Sequence, residues 1–390
     1  MVKQNRKNIW RSLRLFFFAV KVFVCVILLT LTASNAVICQ SSSSDCWPSF
    51  RGDPQLSGLS EATVKPPLKL LWTFKAGDAI KSSPVICGDM IFFGSDDGFI
   101  YALSRNGKLK WKYDAGTSVE AAPLYLDQTI YVGSLEGIIF ALDAKSGALK
   151  WKYTTDGQIS GSSNWAWRAD GKTKEILTGS YDYNLHAVDA ASGKLLWKYE
   201  SNNFINGAAA IGENMAVFGG CDGYLHLVNT ITGKANDTID LGTYIASSAA
   251  IRGDKAWFGN YDGEFYCADL KTQKILWQTG GGGPFISSPA VKGERVVIGS
   301  QNRYLYCFQA NRGELLWKYK ALGKVDASPV IAGDLIVVAS SDGRLHLLEL
   351  DSGKEVWIYE IGSQITATPA VTSGLILVGA HDGNIYAFGP

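Results

Sequence analysis

Eight residues stand one step before eight copies of a small-residue triplet: Lys81, Glu120, Ser160, Asn206, Ala246, Ile286, Asp326 and Thr366. The triplets are SSP at 82–84, AAP at 121–123, GSS at 161–163, GAA at 207–209, SSA at 247–249, SSP at 287–289, ASP at 327–329 and ATP at 367–369. One ammonium, two carboxylates, an amide and hydroxyls can form ion pairs and hydrogen bonds. Ala246 and Ile286 interrupt the row on one side, which weakens any metal or cofactor site built from it. Lys81, Glu120, Asn206, Asp326 and Thr366 are therefore candidate binding residues, with no catalytic role and no metal assigned. Trp165 and Trp167 in SSNWAW are a second candidate. Strand alternation puts both indoles on one face, where they pack, anchor a loop or stack on a ligand.

Other chemistry is thinly represented. His186, His226 and His346 share one slot (LHAV, LHLV, LHLL) where other repeats carry Tyr. That exchange indicates an amphipathic packing position rather than a metal cluster, and His381 stands apart from it. No Ser-His-Asp arrangement, phosphate loop, HExxH or CxxCH is present. Among the 7 cysteines, Cys267 and Cys307 occupy equivalent places and read as small packing residues. Cys39 and Cys46 could pair in an oxidising compartment.

Charge excludes a further class. Residues 1–36 carry six basic residues and no acidic one, and the remainder, 31 Lys+Arg against 36 Asp+Glu, is net −5. A mildly acidic body gives nucleic acid no electrostatic footprint. The basic N-terminus leads into the apolar run VFVCVILLTLT at 22–32, with small residues Ser34 and Ala36 behind it. This is the pattern of a secretory signal cleaved after Ala36, with an uncleaved N-terminal anchor as the alternative. Ile38 disfavours lipidation at Cys39. The expected divisions are 1–36 signal or anchor, 37–69 lead-in, and 70–390 repeats, in a periplasmic or secreted protein.

The elements that must position the candidate residues repeat about every 40 residues. Tight-turn dipeptides recur at Asp97-Gly98, Glu136-Gly137, Asp182-Tyr183, Asp222-Gly223, Asp262-Gly263, Asn302-Arg303, Asp342-Gly343 and Asp382-Gly383. Their spacing is 40 except for 39 at the first step and 46 at the second, where polar residues around Arg168–Lys174 are inserted. Each dipeptide lies between two apolar, β-rich runs and predicts a hairpin tip. A Trp strand follows each hairpin, at Trp111, Trp151, Trp197, Trp277, Trp317 and Trp357, with Ile239 in the fourth repeat. Small inner strand, middle hairpin and outer Trp strand make one four-stranded blade.

The two ends predict closure. The last repeat stops at Phe388 before any Trp strand, while an unpartnered one, Leu70–Phe74 with Trp72, precedes the first triplet. Pairing them completes an eighth blade and removes the exposed edge of an open sheet. The fold expected is an all-β, eight-bladed β-propeller.

These segments resemble the PQQ-repeat (quinoprotein-like) superfamily. ALDAKSGALKW at 141–151 and AVDAASGKLLW at 187–197 follow its A-x-D-x-x-[ST]-G-K-x-x-W pattern, and WPSFRGDPQLSG at 47–58 resembles a lead-in found before such propellers. The resemblance implies that the Trp packs between blades and that the Asp and Ser/Thr tie the turn. It also implies that the row containing Lys81 faces one mouth of the central channel. Ser104, Asn229, Gln309 and Glu349 at the Asp slot, and Ile239 at the Trp slot, suggest looser docking at those joints. One branch of the superfamily holds PQQ and calcium on the axis and oxidises alcohols or sugars. The other, BamB-like branch binds partner proteins without a cofactor. Here no adjacent cysteines and no long roofing loops occur, so the expectation is a cofactor-free binding scaffold with an envelope protein partner. A PQQ-dependent dehydrogenase is the alternative.

Overall fold

The computed structural model describes residues 45–390; the expected signal or anchor, the cleavage site at Ala36 and Cys39 lie outside the described residues. There is no α-helix among them. Eight antiparallel sheets, each the blade of a propeller, follow one another along the chain. In blade 1 the strands run outward from the axis as β4 (Val85–Cys87), β5 (Met90–Gly94), β6 (Phe99–Ser104) and β7 (Leu109–Asp114). Blades 2 to 7 repeat that order. Blade 8 takes three strands from the C-terminus and its outer strand, β3 (Lys69–Lys75), from the N-terminus, with Trp72 opposite Ala387 and Phe74 opposite Ile385. The ring is closed as the sequence predicts.

The small triplets have a specific task. The Ala208 N–H donates to the Ser248 hydroxyl (2.9 Å), Ser248 to Ser288 (3.1 Å), Ser288 to Ser328 (2.9 Å) and Ser328 to Thr368 (3.2 Å). The Thr368 N–H then donates to the Ser83 hydroxyl, 2.9 Å away, across the joint between the last blade and the first. A belt of hydroxyls thus joins inner strand to inner strand. A longer side chain would hold the strands too far apart for these bonds.

Further out, the Trp strands wedge the blades. The Trp111, Trp151 and Trp317 indoles donate to the carbonyls of Ala144, Ala190 and Leu350 in the next blade, all at 3.0 Å. The next blade's turn glycine lies against each ring: a Cβ on Gly147 would sit 2.7 Å from Trp111, and one on Gly353 would sit 2.5 Å from Trp317. Where Ile239 replaces the Trp, the following turn carries Gln273 instead, at φ 58°. The glycine is dispensable where no indole lies beneath it. The other departures keep the turn itself tied, although at the Asn229 joint the Trp197 indole donates to Glu175 of its own blade rather than to a carbonyl of the next. Asn229 Oδ1 accepts from Ile231 N and Thr232 N (both 3.0 Å), and Gln309 Oε1 accepts from Asn311 N at 2.8 Å. Any short acceptor of suitable reach serves the turn.

The lead-in does more than precede the ring. β1 (Cys46–Trp47) adds to the free edge of β4, and β2 (Leu59–Ser60) adds in parallel to Val330–Ala332 of blade 7. Between them the chain crosses one end of the channel and accepts the inner-strand N–H groups in turn. Tyr125 donates to Pro48 O (2.7 Å), Ile211 to Pro54 O (2.7 Å), Ile251 to Gln55 O (2.9 Å), Val291 to Ser57 O (3.0 Å) and Ile331 to Gly58 O (2.9 Å). Asn164 Nδ2 of blade 3 also reaches Pro54 O, and Ser60 Oγ donates to Val371 O of blade 8. The segment touches all eight blades and plugs that end.

Arg51 centres the plug. Its side chain is fully buried and donates to Pro329 O (2.5 Å) and Pro289 O (2.7 Å). Burial lowers its pKa to about 9, partly offset by Asp53, so it remains a cation at neutral pH. Gly58, at φ 64°, leaves it room: a Cβ there would fall 1.9 Å from the guanidinium. Cys46 is bonded to Cys87 of β4, not to Cys39, and fastens the start of the plug to blade 1. Cys267 and Cys307 are fully buried, and burial raises both thiols to about 12, as suits packing residues.

Candidate functional site

The inner strands begin at the opposite end of the channel, and there the predicted row forms a ring. Lys81, Glu120, Asn206, Asp326 and Thr366 line one cup of about 200 Å³ together with Ser160, Ala246 and Ile286. Phe50 of the plug is among its lining residues. Trp165 and Trp167 are not in the cup. They end the inner strand of blade 3, Asn164–Trp167, at the plugged end.

The ring is electrostatically uneven. Lys81 Nζ lies 2.8 Å from Asp96 and 2.8 Å from Glu120. Hydrogen bonds to these two carboxylates hold its pKa above the ordinary lysine value. Asp96, the residue before the first turn dipeptide, was not among the predicted residues. It stands beside the ring because its N–H bonds to Ala79 O, just ahead of Lys81. Thr366 Oγ1 is 2.8 Å from His381 Nε2, and burial with the nearby Lys81 lowers the histidine's pKa.

Two acceptors in the cup lack a protein donor. Asp326 Oδ1 and Asn206 Oδ1 are buried without a hydrogen-bond partner. Burial raises the Asp326 pKa above the ordinary carboxylate value, against a smaller opposing bond from Gln301. Asn206 spends its amide N–H on Cys221 Sγ, 3.2 Å away. Unpaired buried acceptors are costly and favour an occupant, water included, that brings donors.

Blades 3 to 5 carry an arc of partly or largely exposed aromatics beside the cup. Tyr181 stacks on Phe204 with centroids 4.7 Å apart, and Tyr244 on Tyr261 at 4.6 Å. Phe204 is 37% exposed, Tyr244 39% and Tyr261 40%. Phe204 and Tyr244 precede the ring residues Asn206 and Ala246 by two positions; Tyr181 and Tyr261 precede turn dipeptides. Backbone bonds from Cys221 N to Phe204 O and from Tyr261 N to Tyr244 O hold loop and turn together. Comparing these two slots across the eight repeats would have revealed the arc.

The three histidines in the Tyr slot are interblade struts. His186 joins Asp182 of its own turn to Tyr153 of the preceding blade, and His226 joins Asp222 to Tyr199. Tyr101 and Tyr386 reach Asp97 and Asp382 from the same slot. No group of three or more His, Cys, Asp or Glu placed to hold a metal occurs among the described residues.

The model of the family described as outer membrane protein assembly factor BamB matches residues 69–279 and 221–390. The chain belongs to that family. No curated protein sequence matches it. Among solved structures, BamB from Moraxella catarrhalis superposes on this BamB-family propeller with a TM-score of 0.72 at 18% identity, covering 83% of this chain and 98% of that one. Quinohemoprotein alcohol dehydrogenase from Comamonas testosteroni gives 0.76 at 13%, covering 90% and 81%. The computationally designed protein Ika8 gives 0.73 at 17%, covering 83% and 100%. An outer membrane protein assembly factor, an alcohol dehydrogenase and a designed protein share this fold, so function has to be read from the sites.

Proposed function

We propose that this BamB-family propeller is an extracytoplasmic, non-catalytic scaffold that binds an envelope protein through the open mouth of its channel. The observation that carries the reading is the arc of exposed Phe204, Tyr244 and Tyr261, with half-buried Tyr181 stacked on Phe204, beside the ionic ring. Rigid, half-exposed aromatics next to a polar rim are the composition of protein-binding hot spots. The Cys46–Cys87 disulfide supports an oxidising compartment, as does the signal pattern in the sequence.

The donor set argues against a quinone and calcium at the axis. Glu120 is engaged by Lys81, Asp326 lies two blades from Lys81, and Ala246 and Ile286 fill the remaining side. The cup, about 200 Å³, is also below the range of about 300–1,000 Å³ usual for cofactor-sized ligands.

A photo-crosslinking residue placed at position 204, with one at Leu315 on the outer circumference as control, tests this in the native envelope. Position 204 should give one discrete protein adduct that Tyr244→Ser removes. Equal adducts at both positions, or none at 204, would end the reading.

A further inference from the structure

Three departures from the repeat meet at one place away from the mouth. The first is the insertion that lengthens one turn spacing to 46 residues. It is ordered: Arg168 N bonds to Thr173 O, and the Asp170 carboxylate accepts from Lys172 N, Thr173 N and the Thr173 hydroxyl. The second is Trp167, 46% exposed, held edge-on to Trp165 at 5.6 Å with Lys174 Nζ 4.8 Å from its ring centre. The third is the turn of blade 2. Where other blades use a single residue at positive φ (Gly88, Gly253, Gly293 or Gly333, and Glu213 in blade 4), this one has two in succession, Asp127 and Gln128 at φ 48° and 58°. A left-handed non-glycine residue costs free energy, and such residues gather at binding sites.

Together they enclose a groove of about 650 Å³ between blades 2 and 3. Asp127, Lys150, Trp167, Lys172 and Asp189 line it. Lys174 spans the two blades by pairing with Asp127 at 2.6 Å. The volume suits a small ligand, and the walls are already fixed before one arrives.

We propose that this groove is a saccharide-binding site. An indole face offered to solvent stacks on the C–H face of a pyranose ring. Sugar hydroxyls both donate and accept hydrogen bonds, and the groove offers acceptors (Asp127, Asp189) together with donors (Lys150, Lys172). A free anion would meet both carboxylates, while two of the three lysines are already engaged, Lys174 with Asp127 and Lys150 with Thr129 and Asp143. A hydrophobic peptide would find one large exposed ring and little else apolar.

The test is isothermal titration with neutral, N-acetylated and uronate oligosaccharides (cellotetraose, chitotetraose and trigalacturonate), with inorganic phosphate as competitor. At least one sugar should bind saturably. Trp167→Ala should weaken that binding about tenfold, the scale of one lost stack, and Asp127→Asn should weaken it independently. Neither change should lower the melting temperature much, since the Asp127 side chain is largely exposed and Trp167 is nearly half exposed. Binding of none of the sugars, binding indifferent to Trp167→Ala, or equal displacement by phosphate would overturn the proposal. The mouth and its crosslinks are on the opposite face, so this site and the proposed function stand or fall separately.

Discussion

At one end of the channel the inner strands pass their free N–H groups to residues 48–58, around a buried Arg51 and behind the Cys46–Cys87 bond. At the other end the same strands begin from Lys81, Glu120, Asn206 and Asp326, with two acceptors left unpaired and aromatic rings facing solvent. The repeat supplies eight equivalent starting points and eight equivalent finishes. Free energy of folding is gained where backbone groups are paired and forgone where they are left available. The contrast separates a structural pole from a binding pole, and the two should respond differently to substitution.

The largest effect is expected at the centre of the plug. Arg51→Ala leaves Pro289 O and Pro329 O buried without donors and opens a cavity where a fully buried side chain stood. A loss of about 3–5 kcal/mol should follow, read as a large drop in denaturation midpoint. A loss below about 1 kcal/mol would show that the plug does not brace the ring.

Next comes the disulfide, which closes a separation of 41 residues. Replacing Cys46 and Cys87 by Ser should cost about 2–4 kcal/mol and make the melting temperature insensitive to reductant. A variant that still responds to reductant would place the sensitive bond elsewhere.

A third effect depends on pH. Glu175, 1% exposed on the second strand of blade 3, has one carboxylate oxygen without a partner. Burial raises its pKa to about 7, against a smaller opposing bond from the Trp197 indole. The folded state therefore holds this proton more tightly than the unfolded chain. Stability falls as pH rises from the ordinary glutamate range through about 7, then levels off. The loss should be on the order of 2 kcal/mol, and Glu175→Gln should abolish that slope and be the more stable protein at pH about 8. Parallel pH profiles for both proteins would count against the buried carboxylate.

The smallest effect belongs to the mouth. Reversing one charge with Glu120→Lys should change stability by less than about 1 kcal/mol, since both members of the pair are about a third exposed and Lys81 keeps Asp96 as a partner. A larger fall would mean that the ionic ring braces the fold as the plug does. Asp326 is unsuited to such a reversal because its Oδ1 is buried.

The sequence made the ring legible because closure is a matter of periodicity. Turn dipeptides, small triplets and Trp strands are local marks that each blade repeats. It also placed Lys81 and Glu120 on one rim, since equivalent positions in a ring must be neighbours. The plug was hidden because WPSFRGDPQLSG satisfies the blades through its backbone carbonyls, which no side-chain pattern announces. The same concealment misdirected Cys46, whose partner was sought next to it in sequence rather than on β4. The place of Trp165 and Trp167 at the plugged end was not legible, because alternation fixes a face of a strand and says nothing about which end of it reaches solvent. Asp96 and the aromatic arc escaped because each lies at a slot whose residue type changes from blade to blade.

The way blade 8 is completed also sets an order in time. β3 finds its hydrogen-bonding partner only in residues 384–389, the most distant strand of the propeller in sequence. The plug, made earlier still, takes donors from inner strands distributed over the whole ring. β1 can pair with β4 once blade 1 exists, but the rest of the plug and β3 must wait for later blades. Until those blades have emerged most of the plug has no partner, so the nascent chain carries its own stopper, largely unused, while the ring is being made.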